Sequence, residues 1–231
     1  MKSFSKTPKL LAYLGVPAVF CVLGYALLWL ALQPVWPMAS ATVGLLVSDE
    51  APNFDAGLTT VYDPNAFKAE VKEDGFISGA DVHFPEAGEQ YGKITCERIG
   101  LDAPVYWYDS DEILAYGVGQ SLISFPPGYG REIILSGHNT TYFACLEDVG
   151  AGDIIKFDTN YCNYEYKVTR VQVYDENELE HLLNGNMFEE KEELIMYTCY
   201  PFYAISGRKT DRLTVFATRI SGLDVKWRGV D

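Results

Sequence analysis

A chain of 231 residues, 48% of them apolar and 14% aromatic, has material for one well-buried core and too little for two average domains. Its formal net charge of −14, from 18 Lys and Arg against 32 Asp and Glu, excludes sequence-independent nucleic-acid binding, which rests on basic side chains neutralising phosphates. No nucleic-acid partner is expected, and an acidic surface suits an ectodomain.

Residues 1–9 carry Lys2, Lys6 and Lys9 without any acid, and Leu10 to Leu32 then runs free of ionised side chains. A helix crosses a bilayer with about 20 apolar residues, so residues 10–32 read as a transmembrane signal anchor behind a cytoplasmic segment, 1–9. Basic residues on the amino side orient the remainder outward. A cleaved signal peptide is the competing reading: its apolar region is shorter, about 7–15 residues, and ends in a small-x-small site. Ala39-Ser40-Ala41 has that form.

Residues 33–90 are acidic, weakly periodic and interrupted by Pro52, Pro64 and Pro85. They read as an extracytoplasmic stalk with one short helix around Asn65 to Lys72. Residues 91–231 change character. Lys93 to Glu97, Ala103 to Trp107, Glu132 to Ser136, Asp153 to Phe157, Tyr164 to Tyr174, Glu193 to Thr198 and Leu213 to Thr218 are rich in β-branched and aromatic residues, with glycine-containing turns between them. Two helical intervals are predicted, Glu112 to Val118 and Asn177 to Leu183, the second placing Leu179, Leu182 and Leu183 on one face. Many short strands with few helices predict an all-β barrel or sandwich.

Of five cysteines, Cys21 lies in the apolar run, and Cys96, Cys145, Cys162 and Cys199 show no CxxC spacing that would suggest structural zinc. A disulfide among Cys96, Cys145 and Cys162 is compatible with an oxidising exterior, but the sequence assigns none, and unpaired buried thiols are the plain alternative. No EF-hand spacing occurs, and neither a metal nor a cofactor is expected.

Two apolar strands end on chemically useful residues: Ile133 to Ser136 is followed by Gly137-His138-Asn139, and Leu194 to Tyr197 by Thr198-Cys199. Arg212 opens the strand Leu213 to Thr218, with Arg208 as the competing guanidinium. Singly, each has a bland structural explanation. Together they suit acyl transfer. A thiol of pKa about 8.5 needs a cationic neighbour to become thiolate at neutral pH. Imidazole, with a pKa of about 6.5, moves protons near that pH, and a guanidinium stabilises an oxyanion.

In order, spacing and context, Gly137-His138, Thr198-Cys199 and Arg212 resemble the signature of the sortase family. Tyr91-Gly92-Lys93-Ile94 and Ile99 to Tyr106 are similar to the opening strands of that family, Glu112 to Gly119 to its first helix, and Phe143 to Asp153 to the segment after its histidine. The resemblance implies an eight-stranded sortase-type β-barrel. It also implies cleavage of a Leu-Pro-x-Thr-Gly or Leu-Pro-x-Thr-Ala sorting motif after Thr through a thioacyl enzyme.

In that scheme His138, Cys199 and Arg212 are catalytic, while Thr198, Phe202 and Tyr203 border the substrate. The partners would be sorting-motif-bearing surface proteins and an amine from a cell-wall precursor or a pilin Lys. The protein would sit in the membrane of a Gram-positive-type cell as a single-pass enzyme facing outward. Class features are mixed: Cys199 to Tyr203 resembles class D, His138-Asn139 resembles class B, and Asp63-Pro64-Asn65 partly resembles the class C lid. Readings kept in competition are a pilin-polymerising sortase, a cysteine hydrolase using water, and a non-catalytic membrane-tethered domain that binds a peptide.

Overall fold

The computed structural model describes residues 7–32, 58–66, 75–186, 190–203 and 209–226. The chain divides into two units, Met1–Asp49 and Glu50–Asp231.

In the first unit, α1 spans Thr7–Leu32 with Pro17 inside it. Its described side chains are those of Gly15, Pro17 and 19–29. Val19, Phe20, Val22, Leu23, Tyr25, Leu27, Leu28 and Trp29 are all exposed. Among the described residues no helix is long and apolar enough to cross a membrane.

The second unit runs β1 (Thr59–Thr60), β2 (Ile77–Ser78), β3 (Glu89–Cys96), β4 (Leu101–Trp107), α2 (Asp111–Leu114), β5 (Val118–Gln120), β6 (Ile133–Ser136), β7 (Ile154–Thr159), β8 (Asn163–Asp175), α3 (Glu176–Asn186), β9 (Glu193–Tyr200), β10 (Asp211–Ser221) and β11 (Val225–Lys226). Short 3₁₀ turns occupy Glu97–Ile99 and Ala144–Asp148. The sheet order is β1-β3-β4-β5-β6-β9-β10-β8-β7, and a further pairing of β3 with β7 closes it. The strands β3 to β10 thus form the expected eight-stranded barrel, with β1 added in parallel on β3.

Closure removes the free edges that an open sheet would present. Alternation along the strands sends one set of side chains inward, among them Ile94, Val105, Leu135, Met196, Val215 and Phe157, all fully buried. The opposite face of β6, β9 and β10 carries Ile134, Ile195 and Phe216, covered by Leu179 and Leu183 of α3. That second, smaller core seats α3 outside the barrel.

The described parts of the segment read as a stalk pack on the barrel. Thr59 and Thr60 pair with Glu89 and Gln90, and β2 pairs in parallel with β11. Leu58 and Ile77 are buried, while Asn160 accepts from the Asp63 amide at 2.8 Å. The boundary placed at residue 91 therefore falls within a compact unit beginning near Glu50. The helix expected around Asn65 to Lys72 lies largely outside the described residues, with Asn65 in a turn. The interval Glu112 to Val118 is helical only over Asp111–Leu114, and Val118 already belongs to β5.

Candidate active site

The parallel strands β6 and β9 lie side by side with Ser136 opposite Tyr197, so Gly137-His138 and Thr198-Cys199 leave the sheet at the same end. The antiparallel neighbour β10 begins at that end, with Arg212 opposite Cys199. Three adjacent strands therefore place His138, Cys199 and Arg212 together. Cys199 shares its face with Tyr197 and Ile195, outside the barrel, because side chains alternate along β9. His138 and Cys199 are both half-buried.

Local contacts fix these strand ends. Thr198 is buried, and its hydroxyl donates to the Gly137 carbonyl at 2.7 Å. Asn139 Nδ2 donates to the Cys199 carbonyl at 2.7 Å and to the Pro201 carbonyl at 3.5 Å. The His138 carbonyl accepts from the amides of Thr141 and Phe143 at 3.3 and 3.1 Å, turning the chain after the strand. That turn carries the Phe143 ring against Gly137, where an added Cβ would lie 2.8 Å from Cδ2. A side chain before His138 would displace the ring.

The Arg212 guanidinium is held from two directions. Nη1 donates to the Lys209 and Asp211 carbonyls at 2.8 and 2.9 Å, and Nη2 to Glu176 Oε2 at 2.9 Å. Arg212 and Glu176 border a groove of 380 Å³ on the outer face, with apolar walls from Ile123, Ile134, Leu179 and Leu183 and a rim that includes Tyr197. A second carboxylate, that of Asp109, lies within reach of Ser136 and Tyr197. Burial pushes its carboxyl above the usual range against opposing effects of its own backbone and Ser136. Burial, and then the Asp109 charge, raise the Tyr197 phenol.

Thr198 faces the barrel interior, so its side chain ties strands together. Phe202 is half-buried against the main core and meets the Tyr200 ring edge-on at 6.3 Å. Tyr203 is exposed, and its hydroxyl donates to Glu147 Oε2 at 2.6 Å, linking the loop after Cys199 to the one after His138. Arg208 lies outside the described residues.

Cys96, Cys145, Cys162 and Cys199 are all free thiols. Burial pushes the Cys145 thiol up to about 11, which makes it a poor nucleophile. Among the described residues no group of three or more His, Cys, Asp or Glu converges as a metal site. Sequence reasoning missed Glu176, Asn139 and Asp109. Glu176 is 36 positions from Arg212, and only the fold brings them into contact.

A family model described as a sortase domain matches residues 94–220. Sortase D of Bacillus subtilis (strain 168) is 28% identical over 137 residues, covering 59% of this chain and 67% of that protein. Among solved structures, sortase C from Clostridium perfringens SM101 is 27% identical, with a TM-score of 0.51, covering 59% of this chain and 73% of its own. Sortase C1 of Streptococcus agalactiae, solved in complex with MTSET, is also 27% identical with a TM-score of 0.51, covering 58% and 71%. The match takes in the strands that carry the cysteine, the histidine and the arginine, and extends over more than half of the sequence. The chain belongs to the sortase family of cysteine transpeptidases.

Proposed function

We propose that this protein is a membrane-anchored sortase that cleaves a Leu-Pro-x-Thr-Gly-like or Leu-Pro-x-Thr-Ala-like sorting motif after Thr and joins the surface protein to an amine of a cell-wall precursor. The observation that carries this reading is the common end of β6, β9 and β10, where the strand ends bearing His138, Cys199 and Arg212 lie side by side.

The Cys199 thiolate attacks the Thr carbonyl carbon, forming a C–S bond and a tetrahedral oxyanion. Collapse breaks the peptide C–N bond, and His138 gives its proton to the departing amine. A second amine then attacks the thioester, His138 takes a proton from it, and the thiolate leaves as the new amide forms. Arg212 stabilises both oxyanions; losing one such donor costs about 3–4 kcal/mol, or 10²–10³ in rate. The apolar groove beside Tyr197 and α3 receives the motif. Thr198 acts by holding the strand ends, and Phe202 and Tyr203 border the approach to the sulfur.

The apolar run Leu10 to Leu32, behind Lys2, Lys6 and Lys9, is the sequence support for an uncleaved anchor. It would hold the catalytic unit outside a Gram-positive-type cell. Joining to a pilin Lys is the second reading, favoured by similarity to a structure described as sortase C1 of GBS pilus island 1, 26% identical with a TM-score of 0.51.

A fluorogenic sorting-motif peptide tests the proposal, with an added oligoglycine as amine. The wild-type chain should form the amide-linked product faster than the free acid, and Cys199→Ala should fall to background. Full cleavage by the alanine variant would end the assignment, and free acid as the main product would make the protein a hydrolase.

A further inference from the structure

We infer that Glu176 is the positioning residue for the guanidinium of Arg212, so that the helix walling the substrate groove also sets the aim of the oxyanion donor. The inference rests on the role given to Arg212 above. Pairing with Cys199 on one side and Tyr174 on the other fixes the Arg212 backbone. It does not fix the guanidinium, which stands beyond four rotatable side-chain bonds. Contacts made by the guanidinium itself have to choose the rotamer.

The geometry names Glu176. Two of the three bonds to the guanidinium come from backbone carbonyls of Lys209 and Asp211, within three residues of Arg212. The third comes from a different element and is an ion pair, Nη2 to Glu176 Oε2 at 2.9 Å. The two side chains are 19% and 24% exposed, so water screens this pair less than it would a pair on the open surface. An arginine offers five N–H donors. Among the described residues these bonds engage both Nη1 hydrogens and one on Nη2, so that Nε–H and the second Nη2–H are the donors offered to a substrate oxygen.

Glu176 itself stands on fixed ground. Its amide donates to the Thr210 carbonyl at 2.8 Å. The preceding Asp175 accepts from the Asn177 amide and side chain, both at 2.9 Å, which caps the start of α3. Leu179 and Leu183 then dock the helix against Ile134, Ile195 and Phe216. A displacement of α3 by substrate would thus reach the guanidinium through one side chain.

The test uses the full-length chain in detergent, a sorting-motif peptide and four variants: Glu176→Ala, Glu176→Gln, Arg212→Ala and the double Ala variant. Glu176→Ala should lower kcat about 10-fold or more with KM little changed, the pattern of a lost transition-state interaction. Glu176→Gln keeps an acceptor oxygen and should recover most of that rate. In the Arg212→Ala background, Glu176→Ala should have no further effect, because the residue acts through the guanidinium. A normal or raised kcat in Glu176→Ala beside an inactive Arg212→Ala overturns the inference alone. So does an equal further loss in the double variant, which would make the role purely structural. Undiminished activity in Arg212→Ala would overturn the proposed role of the guanidinium, and the inference with it.

Discussion

Thr198 and Cys199 are neighbours with opposite jobs because a β-strand alternates its faces. Cys199 turns out of the barrel on the face it shares with Tyr197, whereas Thr198 turns in and donates to the Gly137 carbonyl. Thr198→Val keeps the shape of the side chain and removes that donor, leaving a buried carbonyl unsatisfied. The expected loss is about 1–3 kcal/mol, read as a lower urea midpoint with an unchanged m-value. Asn139 works from the other strand end, holding the Cys199 carbonyl. The proposed trio of Cys199, His138 and Arg212 could be picked from the sequence because each stands at the end of an apolar run, and the proposed reaction needs those three chemistries together. Asn139, Asp109 and Glu176 were not, since a polar residue in a loop or at a helix start looks the same whether it faces water or a partner far along the chain.

Among the elements, the long strands could be read from their composition, and α3 from its leucine spacing. β5 has three residues and β1, β2 and β11 have two each, too few for any period to register. Their existence depends on neighbours supplied by the fold. The turn between β10 and β11 shows the same dependence: Gly222 has φ +115, and an added Cβ would overlap the Tyr164 ring. Gly222→Ala combines backbone strain with a clash in a buried aromatic site. It should lower Tm by several degrees in a thermal melt, while Gly185→Ala, at an exposed position of α3 with open space around it, should leave Tm unchanged or raise it slightly.

For the whole catalytic unit, acidity is a matter of stability as well as charge. The Arg98 guanidinium beside Asp153 holds that carboxyl below its ordinary range. Hydrogen bonds from Asn177 do the same for Asp175, with Arg212 adding to the effect. Both folded-state values are depressed, so each group contributes stability that is fully present above the unfolded value of about 3.9. That contribution is lost as pH falls through the depressed folded value. Urea unfolding between pH 5 and pH 2 should show stability declining with acid, and Asp153→Asn should flatten the decline. A steeper slope in that variant would contradict the assignment.

The barrel, its eight strands and the converging strand ends all serve one claim, that Cys199 carries the acyl group between two amines. Mass spectrometry of the enzyme, quenched in acid during turnover of a sorting-motif peptide without added amine, measures this directly. The account predicts a mass increase equal to the peptide's portion up to Thr, located on Cys199 and discharged when amine is supplied. An acyl group on another residue, or turnover with no covalent enzyme at any time, would contradict it.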